Sequence, residues 1–218
     1  MIETKGRKRV QKNEIKYGVT LTEEQKLVKA DVYKHDVNFI LGDYGTGKTL
    51  CAAIIALDFL FRNDSTIDKI IITRPINFDA TGFIKGSMDD KMAFHIMPLK
   101  QNLYQAYDKT KIDNLFKDGT IQIIPIDYMK GMTFVNAITI VDEFEDINYH
   151  DFKLILTRLG KNSKLIFTGS EEQTDNLESC IKRIKCLEKS SLVGYNTLTI
   201  NQRNEDIAKI LNYLEDGK

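Results

Sequence analysis

The segment Gly42-Asp43-Tyr44-Gly45-Thr46-Gly47-Lys48-Thr49 carries the clearest chemistry in the chain. It follows the pattern G-x-x-x-x-G-K-[ST], a loop whose backbone N–H groups close around phosphate oxygens. An apolar run, Val37 to Leu41, precedes it, and Lys48 to Phe61, a stretch without Pro or Gly, follows. The loop therefore joins a strand to a helix, whose N-terminus adds partial positive charge where phosphate would sit. All eight residues are candidate nucleotide ligands. Lys48 is expected to reach the β- and γ-phosphates, and the Thr49 hydroxyl to ligate Mg²⁺. A bare glycine turn is the structural alternative.

A phosphate loop that hydrolyses needs a carboxylate at the end of a neighbouring strand. Ile138-Thr139-Ile140-Val141-Asp142-Glu143 supplies one, 94 residues after Lys48. Asp142 is the expected metal ligand, and Glu143 the group that orients and deprotonates the attacking water. A further strand, Leu165-Ile166-Phe167-Thr168, runs into Gly169-Ser170 and then Gln173, which makes Thr168 and Gln173 candidate sensors of the γ-phosphate. Transition-state charge also calls for an arginine. Arg158, Arg203 and Arg74 are the candidates, and spacing does not choose among them.

The elements that must position these groups alternate along the chain. Thr22 caps a helix with Gln25 at the capping-box position, and the helix ends near Lys34. Strands are expected at Val37 to Leu41, Lys69 to Thr73, Ile121 to Ile124, Ala137 to Val141 and Lys164 to Thr168, with another strand or two in Leu192 to Ile200. Apolar runs of this length without alternation suit strands covered on both faces. Strand and helix in turn predict an α/β sandwich with a mainly parallel central sheet and helices on both faces. Residues 78–117 break the alternation; with a helix over Met92 to Tyr107 they read as an insertion beside the sheet. Its Met88, Met92 and Met97 read as core filler or a partner-facing surface.

The chain has 218 residues, 42% hydrophobic and 28% charged, with 31 Lys+Arg balancing 31 Asp+Glu. A chain this long buries roughly 70% of its unfolded surface and needs no disulfide or structural metal. The zero balance excludes a globally basic nucleic-acid coat, but it is uneven. Lys5, Arg7, Lys8, Arg9, Lys12 and Lys16 against Glu3 and Glu14 give residues 1–16 a net charge of +4, leaving −4 on residues 17–218. The first segment reads as a basic arm that could follow a phosphate backbone, or as a solvated tail, and the second as a single domain. The longest apolar runs fall far short of the ~20 residues of a membrane span, and the N-terminus lacks an apolar signal segment. Three cysteines, Cys51, Cys180 and Cys186, fit a reducing cytoplasm better than a disulfide framework, and Cys180 and Cys186 lack a second ligand pair for zinc.

Together these pieces resemble the PhoH-like ATPases, P-loop proteins close to the first RecA-like domain of superfamily 1 helicases. The resemblance runs from about Leu21 to Ile210. It rests on Thr22-Glu23-Glu24-Gln25, Gly45-Thr46-Gly47-Lys48-Thr49, Thr73-Arg74-Pro75, Thr81-Gly82-Phe83-Ile84-Lys85-Gly86, Asp127-Tyr128-Met129-Lys130-Gly131-Met132-Thr133, Asp142-Glu143, the stretch Leu156 to Lys164, and Thr168-Gly169. It implies a RecA-like P-loop NTPase sandwich that binds ATP and Mg²⁺ and hydrolyses ATP on RNA or single-stranded DNA. In that reading Gln25 looks like the glutamine that reads adenine, Arg203 resembles the arginine approaching the γ-phosphate, and Thr73, Arg74 and Lys130 resemble elements on the nucleic-acid side. Small size and a single domain are similar to phage-encoded members, which work in the host cytoplasm.

Three positions depart from the family pattern. Where it reads Asp-Glu-Ala-Gln, this chain has Asp142-Glu143-Phe144-Glu145, and a carboxylate at 145 repels the γ-phosphate unless it is paired. Ser170 stands where Asp is usual, and Met132 where a second base is common. Nucleotide binding is expected to survive these changes, while coupling of hydrolysis to strand movement is what they touch.

Two other readings remain beside the helicase-like ATPase. One is a small-molecule kinase similar to thymidine kinase, which also joins a phosphate loop to an Asp-Glu strand end but has a cysteine cluster absent here. The other is a nucleotide-responsive scaffold with little hydrolysis. A helicase-like motor closes a second RecA-like surface over its nucleotide, and 218 residues do not hold two such domains. A homo-oligomeric ring follows as an expectation, a hexamer by the resemblance.

Overall fold

In the computed structural model the described residues are 17–75, 88–170, 180–202 and 210, with 88–96 and 182 described by backbone alone. β1 (Val37–Gly42) lies between β5 (Lys164–Gly169) and β6 (Gly194–Leu198). β4 (Ala137–Val141) joins β5 to β2 (Lys69–Thr73), and β3 (Ile121–Ile123) completes the order β3-β2-β4-β5-β1-β6. Every pairing among them is parallel.

Period-two alternation sends neighbouring apolar residues to opposite faces, which is why the strand sequences are apolar throughout. Ile40, Ile70, Ile72, Ile138, Ile140 and Ile166 pack on one face with α1 (Glu23–Lys34), α2 (Lys48–Phe61), α3 (Met88–Ala106) and α4 (Lys109–Lys117). Phe39, Leu41, Ile71, Val141, Leu165 and Phe167 face the other side, covered by α5 (Tyr149–Leu156) and α6 (Ile181–Ile184). There Phe39 stacks on Phe167 at 5.2 Å between ring centroids, with Phe144 and Phe152 tilted against them.

α2 is buried from Cys51 through Leu60, as its unbroken apolar sequence requires. Its one buried acid, Asp58, is held by Lys29 at 3.0 Å and by the Tyr33 hydroxyl, a compensation that a desolvated charge demands. Those contacts tie α1 to α2. α1 itself starts on the expected capping box, Thr22 Oγ1 accepting from Gln25 N and Gln25 Oε1 accepting from Thr22 N.

The region expected as an insertion is, in its described part, the crossover between β2 and β3. Parallel neighbours need a connection of a dozen residues or more, and α3 and α4 supply it while α3 packs on α2. α3 starts at Met88 rather than Met92 and carries Pro98 within it. Thr81 to Gly86 lie outside the described residues. Leu192 to Ile200 holds a single strand, β6.

Parallel pairing has one consequence for chemistry. β1, β2, β4 and β5 all end on the same edge, so the residues just beyond them meet where open α/β sheets bind ligands.

Candidate nucleotide site

Gly42 closes β1 at φ +144°, and a Cβ there would press on the Leu198 carbonyl of β6. Gly47 sits at φ +80° as the N-cap of α2, and a Cβ would come within 2.9 Å of Gln25 Nε2. Only glycine relieves both positions. Gly47 has no side chain to cap α2, so the N–H groups of the first turn remain for an anion.

Lys48 rests on the loop itself, donating to the Gly42 carbonyl at 2.6 Å and the Asp43 carbonyl at 2.9 Å. Desolvation pushes its pKa below the usual lysine value, while the nearby carboxylates of Glu145, Asp142, Asp43 and Glu143 pull the other way. The ammonium thus stays beside the loop's N–H groups, where phosphate oxygens would sit.

Asp142 is the pivot. Its Oδ1 accepts from the Thr49 hydroxyl at 2.7 Å and from the Thr168 hydroxyl at 2.6 Å, bringing together α2, β4 and β5. Asp142 is only 5% exposed. A hydroxyl and a carboxylate from separate elements, meeting at the first turn beside Lys48, form a donor set that suits an oxygen-seeking Mg²⁺. Thr168 is buried, donates to Asp142 and lies in the wall of the cavity over the loop.

Glu143 turns into the left-handed region at φ +52° and ion-pairs with Arg74. Burial raises its pKa and the Arg74 charge works against that rise. The turn continues through Phe144 to Asp146 and tucks Glu145 inside, 4% exposed. There desolvation lifts its carboxyl to about 7, with Glu143 adding to the rise and Lys48 opposing it.

Gln25 is also buried; it donates from Nε2 to the Thr46 carbonyl at 3.3 Å and so braces the phosphate loop from the α1 side. The loop apex is exposed at Tyr44, where Asn201 donates to the Tyr44 carbonyl at 3.1 Å and Gln202 N donates to the Gly45 carbonyl at 2.8 Å.

Not every expected residue joins this group. Arg158 lies at the opposite edge of the sheet, ahead of β5: its carbonyl accepts from Phe134 N, ahead of β4. Its guanidinium donates to the Leu154 and Met132 carbonyls. The strands therefore separate it from Lys48, and the expectation of Arg158 as a catalytic arginine does not hold within one chain. Thr73 is likewise removed from any nucleic-acid strand, since it is fully buried at the end of β2. Lys130 is exposed beyond the turn Ile126–Met129, after β3. Gln173 and Arg203 lie outside the described residues.

A cavity of about 550 Å³ opens over this group. Besides Lys48, Thr49, Asp142 and Glu143 it is lined by Gln202 and by Gln101, Asn102 and Gln105 of α3. The sequence reading missed these amides. Gln202 adjoins Arg203 in a stretch already of interest, but a surface amide on a helix carries no signal of its own.

A parallel sheet with a glycine loop leading from β1 into α2, and a second carboxylate at the end of β4, defines a P-loop NTPase. The chain belongs to the PhoH-like protein family, which matches residues 19–211. It is 40% identical over 154 residues to a PhoH-like protein of Synechocystis sp., covering 70% of this chain and 46% of that protein. With a PhoH-like protein of Bacillus subtilis it shares 31% over 212 residues, 88% of this chain and 66% of the relative. With protein PhoH of Escherichia coli it shares 33%, over 63% of this chain and 39% of the relative. The chain thus spans from about two fifths to about two thirds of the length of these relatives. In fold it is similar to the large terminase of a thermophilic bacteriophage (TM-score 0.58, 10% identity, 90% of this chain and 50% of that one). It is also similar to the Hef helicase domain of Pyrococcus furiosus (TM-score 0.50, 10% identity, 85% of this chain and 39% of that one). Among the described residues no helix is long and apolar enough to cross a membrane.

Proposed function

We propose that this chain binds and hydrolyses ATP with Mg²⁺ and does so on RNA or single-stranded DNA, as a helicase-like ATPase. One observation carries the hydrolytic half: Thr49 and Thr168 both donate to one Asp142 oxygen, at the mouth of a phosphate loop. Thr49 and Asp142 would hold Mg²⁺, which when bound would neutralise phosphate charge. Lys48 leaves the carbonyls of Gly42 and Asp43 to meet the β- and γ-phosphates. Glu143, its proton affinity already raised by burial, accepts the proton of the attacking water. Thr168 keeps Asp142 aimed.

The strand half of the reading draws support from the family, from two neighbours in fold that are a helicase domain and a large terminase, and from the basic segment 1–16. Arg74 stands just beyond β2, on the edge that carries the nucleotide site. A ring of identical chains is part of the same proposal, because a helicase-like motor closes a second RecA-like surface over its nucleotide.

Phosphate release by the wild type and Lys48→Ala, with and without single-stranded RNA or DNA at several salt concentrations, tests the reading. Lys48→Ala should abolish turnover, and strand stimulation should fall as salt rises. Unchanged turnover in Lys48→Ala overturns the assignment; equal rates with and without any strand remove its nucleic-acid half. A native mass that stays monomeric at full specific activity removes the ring. The Arg74–Glu143 pair favours one second reading, a nucleotide-responsive scaffold, since a paired base accepts protons poorly. Tight ATP binding without phosphate release would select it.

A further inference from the structure

The phosphate loop is held from outside at three consecutive carbonyls. Asn201 Nδ2 donates to the Tyr44 carbonyl at 3.1 Å, Gln202 N to the Gly45 carbonyl at 2.8 Å, and Gln25 Nε2 to the Thr46 carbonyl at 3.3 Å. A trans peptide points its carbonyl and its N–H in opposite directions. The N–H groups of Gly45, Thr46 and Gly47 are therefore turned away from these three donors, as a phosphate nest requires. Of the three, the Thr46 N–H makes a long turn contact of 3.4 Å with the Asp43 carbonyl.

Two of those donors sit on the segment 199–202, which leaves the sheet just beyond β6. The last register pair of β6 on β1 is Leu198 with Gly42, where β1 turns into the loop. Past that point, among the described residues, the Thr199 and Ile200 N–H groups have no strand opposite them. Glu24 takes both: its Oε2 accepts from Thr199 N at 3.1 Å and Ile200 N at 3.2 Å, and its Oε1 accepts from the Thr199 hydroxyl at 2.5 Å. These bonds, the Thr199 hydroxyl foremost, hold the Glu24 carboxyl below its ordinary pKa. Glu24 stands in the first turn of α1 beside Gln25. The start of α1 thus supplies one loop donor directly and grips the segment that carries the other two.

We propose that Glu24 is a positioning residue for phosphate binding: by clamping Thr199 and Ile200 it keeps Asn201 and Gln202 on the loop, and so keeps the loop's N–H groups set for phosphate oxygens. The effect on nucleotide rests on the ATPase reading, whereas the clamp itself does not. A carboxylate suits the task because its two oxygens can accept from all three donors at once. Without the clamp the loop must be ordered as the nucleotide binds, and that ordering is subtracted from affinity. The clamp acts before chemistry, so it belongs to binding more than to turnover.

Two variants test it, each checked for folding by circular dichroism and melting. In Glu24→Ala the exchange of the Gln202 amide hydrogen, followed by NMR, should quicken about tenfold, although that amide bonds the Gly45 carbonyl and not Glu24. KM for ATP should rise about tenfold while kcat stays within about twofold, the size of one hydrogen bond to a charged group. Glu24→Gln should restore most of both, because the amide oxygen accepts from the two N–H groups and the amide nitrogen donates to the Thr199 hydroxyl. An unchanged Gln202 exchange rate or an unchanged KM in Glu24→Ala overturns the proposal, and so does a Glu24→Gln variant as impaired as Glu24→Ala. Amide exchange needs no nucleotide, so it decides the clamp even if the chain proves not to hydrolyse ATP. Turnover surviving in Lys48→Ala would instead strike the ATPase reading itself.

Discussion

Arg74 and Glu143 form an ion pair across neighbouring strand ends. The register of β2 on β4 sets Thr73 opposite Val141, so the residues just beyond them must meet. The pair joins a cation on the proposed strand side to the carboxylate proposed as base. A nucleic-acid phosphate that competes for Arg74 would release Glu143 toward water, which gives strand binding a direct route to the rate. Arg74→Ala should therefore raise the strand-free rate of phosphate release several-fold and shrink the further stimulation by single-stranded RNA or DNA. A rate that collapses with and without strand would place Arg74 in the chemistry instead.

Much of this fold is readable because its apolar runs are short, unmixed and bounded. α2, β2 and β4 fall on the expected residues, since Lys48, Lys69 and Ala137 each mark an abrupt change of character. The phosphate loop and the Asp142-Glu143 strand end are readable for a related reason: a backbone cradle and an oxygen ligand admit few residue types. Strand order is not encoded in any one segment, so the neighbourhood of β2 and β4 that brings Arg74 to Glu143 could not be read. Nor could the edge on which Arg158 falls, which depends on where β5 begins relative to α5. The amides of α3 escaped because an exposed glutamine on a helix looks the same whether it faces bulk water or a cavity.

Asp142→Asn separates charge from shape. The amide oxygen can still accept from Thr49 and Thr168, so folding and thermal stability should hold. Turnover should fall by about a hundredfold or more, because the site loses the carboxylate that would hold the metal. Steady-state phosphate release across a Mg²⁺ titration, beside a melting curve, checks both parts. Loss of folding with loss of turnover would make Asp142 a structural hub only.

Gly169 ends β5 directly under the Phe144-Glu145 turn. A Cβ there would lie 2.7 Å from Phe144 Cδ1 and would overlap the Glu145 carboxylate. Gly169→Ala should then cost about 1–3 kcal/mol, the usual toll of overpacking a close-packed site. Shortening the overlapping side chain in Gly169→Ala/Glu145→Ala should recover part of the loss, with the Phe144 contact accounting for the rest. Denaturant melts of the two variants and of Glu145→Ala alone give the coupling; strict additivity would mean the side chains do not meet.

Glu145 should also make stability depend on pH. Burial raises its carboxyl from 4.5 to about 7, so the folded chain binds its proton more tightly than the unfolded chain does. The sign follows from that difference: the contribution is fully present below about 4.5 and is lost as pH rises through about 7. The whole swing is about 3 kcal/mol for such a shift. Lys48 and Glu143 face the same carboxyl with opposite effects, so its proton also reports on the phosphate site. Glu145→Gln removes the titration while keeping the shape. It should melt higher than the wild type at pH 8, with the gap closing toward pH 5, and the same substitution should tighten ATP binding at pH 8 by removing a negative charge from beside Lys48. Parallel stability curves for the two proteins from pH 5 to 8 would show that Glu145 does not titrate in this range.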